Sequence, residues 1–242
     1  AGPRQNFIDF EVSALEQYLK QGGNLVLAFE NAQTAGLDRI AKGLGFEPQP
    51  NYVFNIVDTV IGRRLIPEPT FGNHFSAHHE ITKVFTGREV TLFLRPMSFK
   101  KSASVPAGLA TEELIKTPPE SMAYKDLKIK GEGERGPFAI AMAAKGKYAG
   151  GEKEFQAVVV GDADFMNNQY LMQNLNRDLV LNSVASLTKE GNLISITPKE
   201  LTKTELDPST LKQTVFYFGF AIPLPILMLV SSLVLWFRKR HA

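Results

Sequence analysis

The chain has 242 residues, 44% of them hydrophobic and 21% charged, the composition of a globular protein long enough to bury a proper core. Its formal charge of +2 conceals an asymmetry, because three of the 27 basic side chains, Arg238, Lys239 and Arg240, come after the last apolar run and leave 24 against 25 acidic ones elsewhere. A body so near neutrality has no broad field for nucleic acid, and the lack of any cysteine excludes disulfides, thiolate metal sites and cysteine nucleophiles together.

The opening Ala1-Gly2-Pro3-Arg4 is not a signal peptide, since no apolar stretch follows a basic start. An exported body therefore needs an earlier segment, and a signal or a first membrane helix is expected before Ala1. Asp9 to Gln21 carries Val12, Leu15 and Leu19 at helical spacing, with Glu11, Glu16 and Lys20 between them, and Gly22-Gly23 as a stop. The apolar run Leu25 to Phe29 predicts a buried strand of the kind found in parallel sheets. Leu37 to Leu44 reads as a short helix ending at Gly45, and Tyr52 to Ile61 as the next strand, an order that argues for an open α/β sheet.

Val90 to Leu94 is strand-like, whereas Pro106 to Met122 mixes short runs with Pro118-Pro119. Phe138 to Ala144 and Phe155 to Val160 are expected as two strands joined by a Gly- and Lys-rich hairpin loop, Lys145 to Lys153. The second of them runs into a tight acidic turn, Gly161-Asp162-Ala163-Asp164-Phe165. Asn176 to Leu187 is expected to be a helix with Val180, Val184 and Leu187 on one face, and Leu193 to Ile196 a last strand. Residues 1–198 thus form an α/β body, and residues 199–213 link it to the final apolar segment.

Val215 to Phe237 reads VFYFGFAIPLPILMLVSSLVLWF, 23 residues without a charge. At ~1.5 Å per residue it spans about 35 Å, enough to cross a ~30 Å hydrocarbon core, and it lacks the polar face of a soluble helix. Residues 214–237 are therefore read as a transmembrane helix and 238–242 as its basic tail. Tyr217 and Trp236 sit where interfacial rings belong, and Arg238, Lys239 and Arg240 predict a cytoplasmic C-terminus with the body on the opposite side. Pro223 and Pro225 interrupt the hydrogen-bond ladder, which membranes tolerate when neighbouring helices satisfy the freed carbonyls.

The acidic turn lies where open α/β sheets place ligands, at the carboxyl end of a strand. Asp162 and Asp164 offer two ligands for a divalent cation, but they equally suit local capping, and without a third ligand in the sequence the structural role is preferred. His74, His78, His79 and Glu80 form the one histidine concentration of the body. The i, i+4 spacing of His74 and His78 would suit zinc on a helix, yet Gly72-Asn73 and Ile81-Thr82 disfavour a helix there, and a surface or capping role is expected. No GxSxG elbow or Walker A motif is present, and Gly43-Leu44-Gly45-Phe46 is too short to be a dinucleotide fingerprint and follows a helix, not a strand. Arg63-Arg64 and Lys100-Lys101 read as solvated strand ends. No catalytic residue, cofactor or metal site is assigned.

Several stretches in order resemble GldG-like proteins, auxiliary components of an ABC-type transport system associated with gliding motility. They are Ala1-Gly2-Pro3, Leu15 to Leu19 with Gly22-Gly23-Asn24-Leu25, His79-Glu80-Ile81-Thr82, Val159 to Phe165, Asn176-Arg177-Asp178 with Leu181-Asn182, and the span with Pro223 before Arg238-Lys239-Arg240. The family pattern has proline after the histidine, where this chain has Glu80. The resemblance implies a flavodoxin-like α/β sandwich similar to class I glutamine amidotransferases but without their catalytic cysteine, and a further membrane segment before Ala-Gly-Pro. It also implies a non-enzymatic subunit of the bacterial cytoplasmic membrane, working beside a permease and a separate ATPase. The exported domain would bind substrate, an envelope partner or a second copy. The competing expectation is an anchored metal-dependent or carbohydrate-active hydrolase built on Asp162, Asp164 and His79.

Overall fold

The first helix, α1 (Asp9–Lys20), begins where the Glu11 carboxylate accepts the Ile8 N–H at 3.0 Å, and it buries Val12 and Leu19. It ends in a reversal that only a left-handed residue makes cheaply. Gly22 adopts φ +85°, and the N–H groups of Gly22 and Gly23 close onto the carbonyls of Leu19 and Tyr18. The computed structural model describes residues 2–3, 5–30, 32–59, 62–66, 68–129, 131–188 and 214–240. The expected strand Leu193 to Ile196 and the linker 199–213 lie outside them. The chain divides into two units, Ala1–Ser195 and Ile196–Ala242.

In chain order α1 leads to β1 (Leu25–Ala28), α2 (Asp38–Gly43), β2 (Phe46–Gln49), β3 (Tyr52–Thr59), β4 (Gly62–Ile66), β5 (Thr70–Gly72), β6 (His74–Phe75), β7 (Thr91–Phe93) and β8 (Ser98–Lys101). Then come β9 (Leu109–Lys116), β10 (Met122–Tyr124), β11 (Glu134–Arg135), β12 (Ala139–Lys147), β13 (Glu154–Val160), a 3₁₀ turn at Asp164–Met166, and α3 (Asn176–Leu187).

The main sheet has seven strands in the order β1-β13-β12-β8-β2, with β9 also on β12 and β6 on β9. It is mixed. β1 and β13 pair in parallel, and the other pairings run antiparallel. Here the parallel expectation for the strand–helix–strand opening fails, because β3 leaves this sheet altogether. It lies in a separate four-stranded sheet, β11-β10-β3-β4, over its own small core of Val53, Ala123 and Phe138.

Alternation along β13 explains the layering. Phe155, Ala157 and Val159 join a core with α1 and α2 on one face, while Val158 and Val160 join Leu179 and Leu187 of α3 on the other. The body is thus helix, sheet, helix. The β12–β13 hairpin stays paired as far as Lys147 opposite Glu154, so its loop is shorter than expected.

Two elements depart from the sequence reading. β9, LATEELIK, carries Ala, Glu, Leu and Lys, which favour helices, and it becomes a strand because it pairs along β12 from Lys116 to Leu109. The buried face of α3 is Asn176, Leu179, Ser183 and Leu187, whereas Val184 points outward. Two polar residues occupy the inner stripe because each satisfies its hydrogen bonds there, Ser183 Oγ donating to the Leu179 carbonyl at 2.7 Å.

The second unit contains a helix from Thr214 to Arg240, 27 residues long and with no residue buried. After a short α-helical start it passes through a π-helical stretch, Tyr217–Ala221, and continues as α4 (Pro223–Arg240). It is long and apolar enough to cross a membrane.

Candidate functional site

Two parallel strands bring their carboxyl ends to one edge of a sheet, and this geometry builds the site. Pairing of β1 with β13 continues past the strand ends, the Phe29 N–H donating to the Val160 carbonyl at 2.9 Å. The chain after β1 then presents Glu30, and the chain after β13 presents Asp162 and Asp164. One oxygen from each of the three carboxylates lies within 4.8 Å of the others. Gly161 makes the turn possible. Its N–H donates to Ile140 and its carbonyl accepts from Met97, and a Cβ there would fall 2.0 Å from the Met97 carbonyl oxygen.

Asp162 is 2% exposed and has both oxygens in use: Oδ2 accepts the Leu94 N–H at 2.7 Å and Oδ1 the Asp164 N–H at 2.9 Å. Burial pushes its carboxyl up from the ordinary 3.8 to about 7. The two N–H donors hold it back, and Asp164 and Glu30 push further upward. Asp164 accepts from Asn167 Nδ2 at 3.1 Å. Three carboxylates at this spacing are hard oxygen ligands of the type that Ca²⁺ or Mg²⁺ takes. With both its oxygens bonded to the main chain, Asp162 is first of all a clamp between the 94–97 and 161–164 segments.

The same edge gathers residues far apart in sequence. Gly2 donates its N–H to the Ala28 carbonyl at 2.9 Å, and a Cβ on Gly2 would stand 3.1 Å from Cβ of Ala163. Asn176 is fully buried. Its Oδ1 accepts the Leu92 N–H at 2.8 Å, and its Nδ2 donates to the carbonyls of Leu92, Phe165 and Tyr170 at 2.9, 3.1 and 3.1 Å. Asn182 Nδ2 donates to the Ile81 carbonyl at 2.9 Å, and Ser186 Oγ bonds the Glu80 carboxylate, so α3 also ties down the 79–82 turn.

The histidines do not join the acidic trio. His79, which only the competing hydrolase reading groups with Asp162 and Asp164, has Glu112, Glu80 and Lys145 as its charged neighbours. Lys145 lies four positions along β12 from Ala141, the partner of Val160, which is roughly 13 Å at ~3.3 Å per residue. Burial lowers the His79 pKa, opposed by Glu112 and Glu80, and its Nδ1 accepts the Ile81 N–H at 3.3 Å. His74 stands on β6 opposite Lys116 of β9, its Nδ1 2.7 Å from Oδ1 of Asn73, and His78 is exposed in the turn beyond. No helix aligns them. Among the described residues, the convergent trio contains no histidine.

Glu30 is the residue that sequence reasoning missed. Its signal was present: it stands one position past the apolar run Leu25 to Phe29, at the carboxyl end of a strand. Apart from this edge, a cleft of about 330 Å³ opens between β8, β9, β11 and the start of β12. Its charged lining is Lys100, Lys101, Lys116 and Arg135 against Glu113 and Glu134, with Lys116 and Glu113 3.0 Å apart. Lys100 and Lys101 are the exposed last two residues of β8, paired with Glu47 and Phe46 of β2, as solvated strand ends should be.

On the long helix, Tyr217 lies in the π-helical stretch, Pro223 and Pro225 in the first turn of α4, and Arg238, Lys239 and Arg240 in its last turn. There the three cations oppose the negative end of the helix dipole, and the Arg240 guanidinium stacks 4.9 Å over the Trp236 ring.

No family model matches this sequence, and no curated protein does. Among solved structures the chain is similar to one named "mmIFT52 N-terminal domain", at 16% identity and a TM-score of 0.57, covering 78% of this chain and 75% of that one. At that identity the likeness concerns the fold alone.

Proposed function

We propose that this chain is a GldG-like, non-catalytic accessory subunit of an ABC-type transport complex in a bacterial cytoplasmic membrane. The helix from Thr214 to Arg240 is the anchor, its basic end lies in the cytoplasm, and the α/β body stands on the opposite side. Outside the membrane the body binds the transported substrate, an envelope partner or a second copy. Within it the span packs with a permease, while a separate cytoplasmic protein supplies ATP hydrolysis. Gliding motility is the process to which the resemblance attaches such a system.

The observation that carries this reading is the convergence of the resembling stretches. Gly2, the Gly161-to-Phe165 turn and Asn176 meet at one sheet edge, and Glu80, Ile81 and Asn182 are joined beside α3. Segments that resemble a family only in order and spacing are here bonded to one another, as expected of residues that keep a common fold. Helices on both faces of the sheet support the finer comparison with a flavodoxin-like or amidotransferase-like sandwich. Function does not follow from fold, so the site matters more. Its best-defined carboxylate is occupied by main-chain donors, and the histidine a hydrolase reading requires lies elsewhere.

The test is affinity purification of the full chain from native membranes in mild detergent. A permease and an ATPase should elute with it in fixed ratio, whereas repeated recovery of the chain alone contradicts the assignment.

A further inference from the structure

We infer that the stretch Tyr217–Pro225 is a docking surface for a helix of a different membrane protein, one that carries hydrogen-bond donors at that depth. The inference rests on the membrane-spanning reading above and names the chemistry of the partner.

An α-helix bonds each N–H to the carbonyl four residues back, and a π-helix to the one five back. The carbonyls of residues 218–221 can therefore draw only on the N–H groups of residues 222–226. Ile222 donates to the Tyr217 carbonyl at 3.0 Å, in the π pattern. Pro223 and Pro225 have no N–H at all. Two donors, Leu224 and Ile226, remain for four carbonyls, so at least two carbonyls have no main-chain donor of their own. In water such groups are solvated without loss. In hydrocarbon they are costly, and proline is tolerated in a span when neighbouring helices or side chains supply the donors.

The polar side chains described farther along this helix do not supply them. Ser231 Oγ donates to the Met228 carbonyl at 2.9 Å. Ser232 lies 11 residues beyond Ala221, about 16 Å along the axis, and Trp236 is farther still. The Tyr217 side chain leans toward the helix N-terminus, away from residues 218–221. A second copy has the same deficit at the same depth, because copies inserted with one basic tail share one orientation. The surface is nonetheless open: a Cβ at Gly219 would meet nothing within 4 Å, which leaves its backbone free for close approach by another helix. The occupant that fits is a foreign span bearing Ser, Thr, Asn, Gln, Tyr or Trp.

The experiment places the photo-crosslinking residue p-benzoylphenylalanine at Phe220 of the full chain in its native membranes. The double variant Pro223→Ala, Pro225→Ala, which restores both N–H donors, is run beside it, and alkaline carbonate extraction reports insertion. The expected result is an adduct to a second membrane protein, mapped by mass spectrometry to an apolar span containing one of those donor residues. It should fall about tenfold in the double variant, the scale of two interhelical hydrogen bonds, while the variant stays inserted. Adducts to lipid alone, adducts to a second copy alone, or an adduct undiminished in the variant overturn the inference. A proline-dependent adduct to a protein that is no part of a transporter sustains the inference and removes the transport reading instead. Release of the unsubstituted chain by carbonate overturns both.

Discussion

Replacing Asp162 by Asn tests the clamp at the sheet edge, because the two side chains differ only where burial acts. The carboxyl has a folded-state pKa of about 7 against an ordinary 3.8. The folded-state value is the higher one, so on titration upward the unfolded chain loses this proton first. Stability from this group is fully present below pH 3.8, declines between about pH 4 and 7, and levels off above. About three units at about 1.4 kcal/mol each give a total of about 4 kcal/mol, of which about 2.5 kcal/mol is lost between pH 5 and 8. The substituted amide does not titrate. It still offers one oxygen acceptor, but its NH₂ group faces one of the two N–H groups from Leu94 and Asp164, at a cost of about 1–3 kcal/mol at every pH. The variant should therefore be clearly weaker than the wild type at pH 5 and close to it, or stronger, at pH 8. Urea denaturation of the body, residues 1–195, monitored by far-UV circular dichroism at several pH values, reads this directly. His79 acts in the opposite sense below its ordinary pKa, since burial favours its neutral form, so the quantity to compare is the difference between wild type and variant. A difference that does not change with pH refutes the reasoning.

Glu30→Gln removes one of the carboxylates that raise the Asp162 pKa, and the midpoint of the same pH dependence should move to lower pH; an unmoved midpoint means that Glu30 exerts no such push. Asn176→Ala deletes the four hydrogen bonds that fasten β7 and the 165–170 segment to α3, and leaves buried main-chain groups unsatisfied. It should cost the body about 3 kcal/mol in urea denaturation, with Asn176→Asp nearly as damaging because it donates nothing to the three carbonyls. A loss under about 1 kcal/mol at Asn176 means that water replaces the amide.

What was legible in the sequence was whatever depended on local pattern. α1 declared itself by Val12, Leu15 and Leu19 with a glycine stop, the β12–β13 hairpin by two apolar runs around glycines, and the long apolar helix by the absence of any charge over 23 residues. What was illegible depended on pairing. The residues of β9 prefer a helix in isolation and become a strand only because β12 lies alongside. β3 looks like the strand that comes after β1 and α2 in a parallel sheet, and nothing local says that it pairs with β4 and β10. The buried stripe of α3 was legible in part: Leu187 is buried and Val180 packs against the same core, but Val184 is exposed, and Asn176 and Ser183 look exposed until their partners are known. At the candidate site the acidic turn was found where it was expected, at the end of β13. Its third member, Glu30, emerged only once β1 was seen to run parallel to β13, since adjacency of strand ends is a property of topology.

The proposed function depends on the long helix spanning a membrane with the body on the side opposite its basic end. The direct measurement adds protease to cells whose outer envelope has been opened but whose cytoplasmic membrane is sealed, with an epitope tag after Ala242 and a cytoplasmic protein as control. The account predicts that the α/β body is digested or released while the tag and the control survive. Survival of the body together with loss of the tag contradicts it, as does recovery of the intact chain in the soluble fraction without detergent.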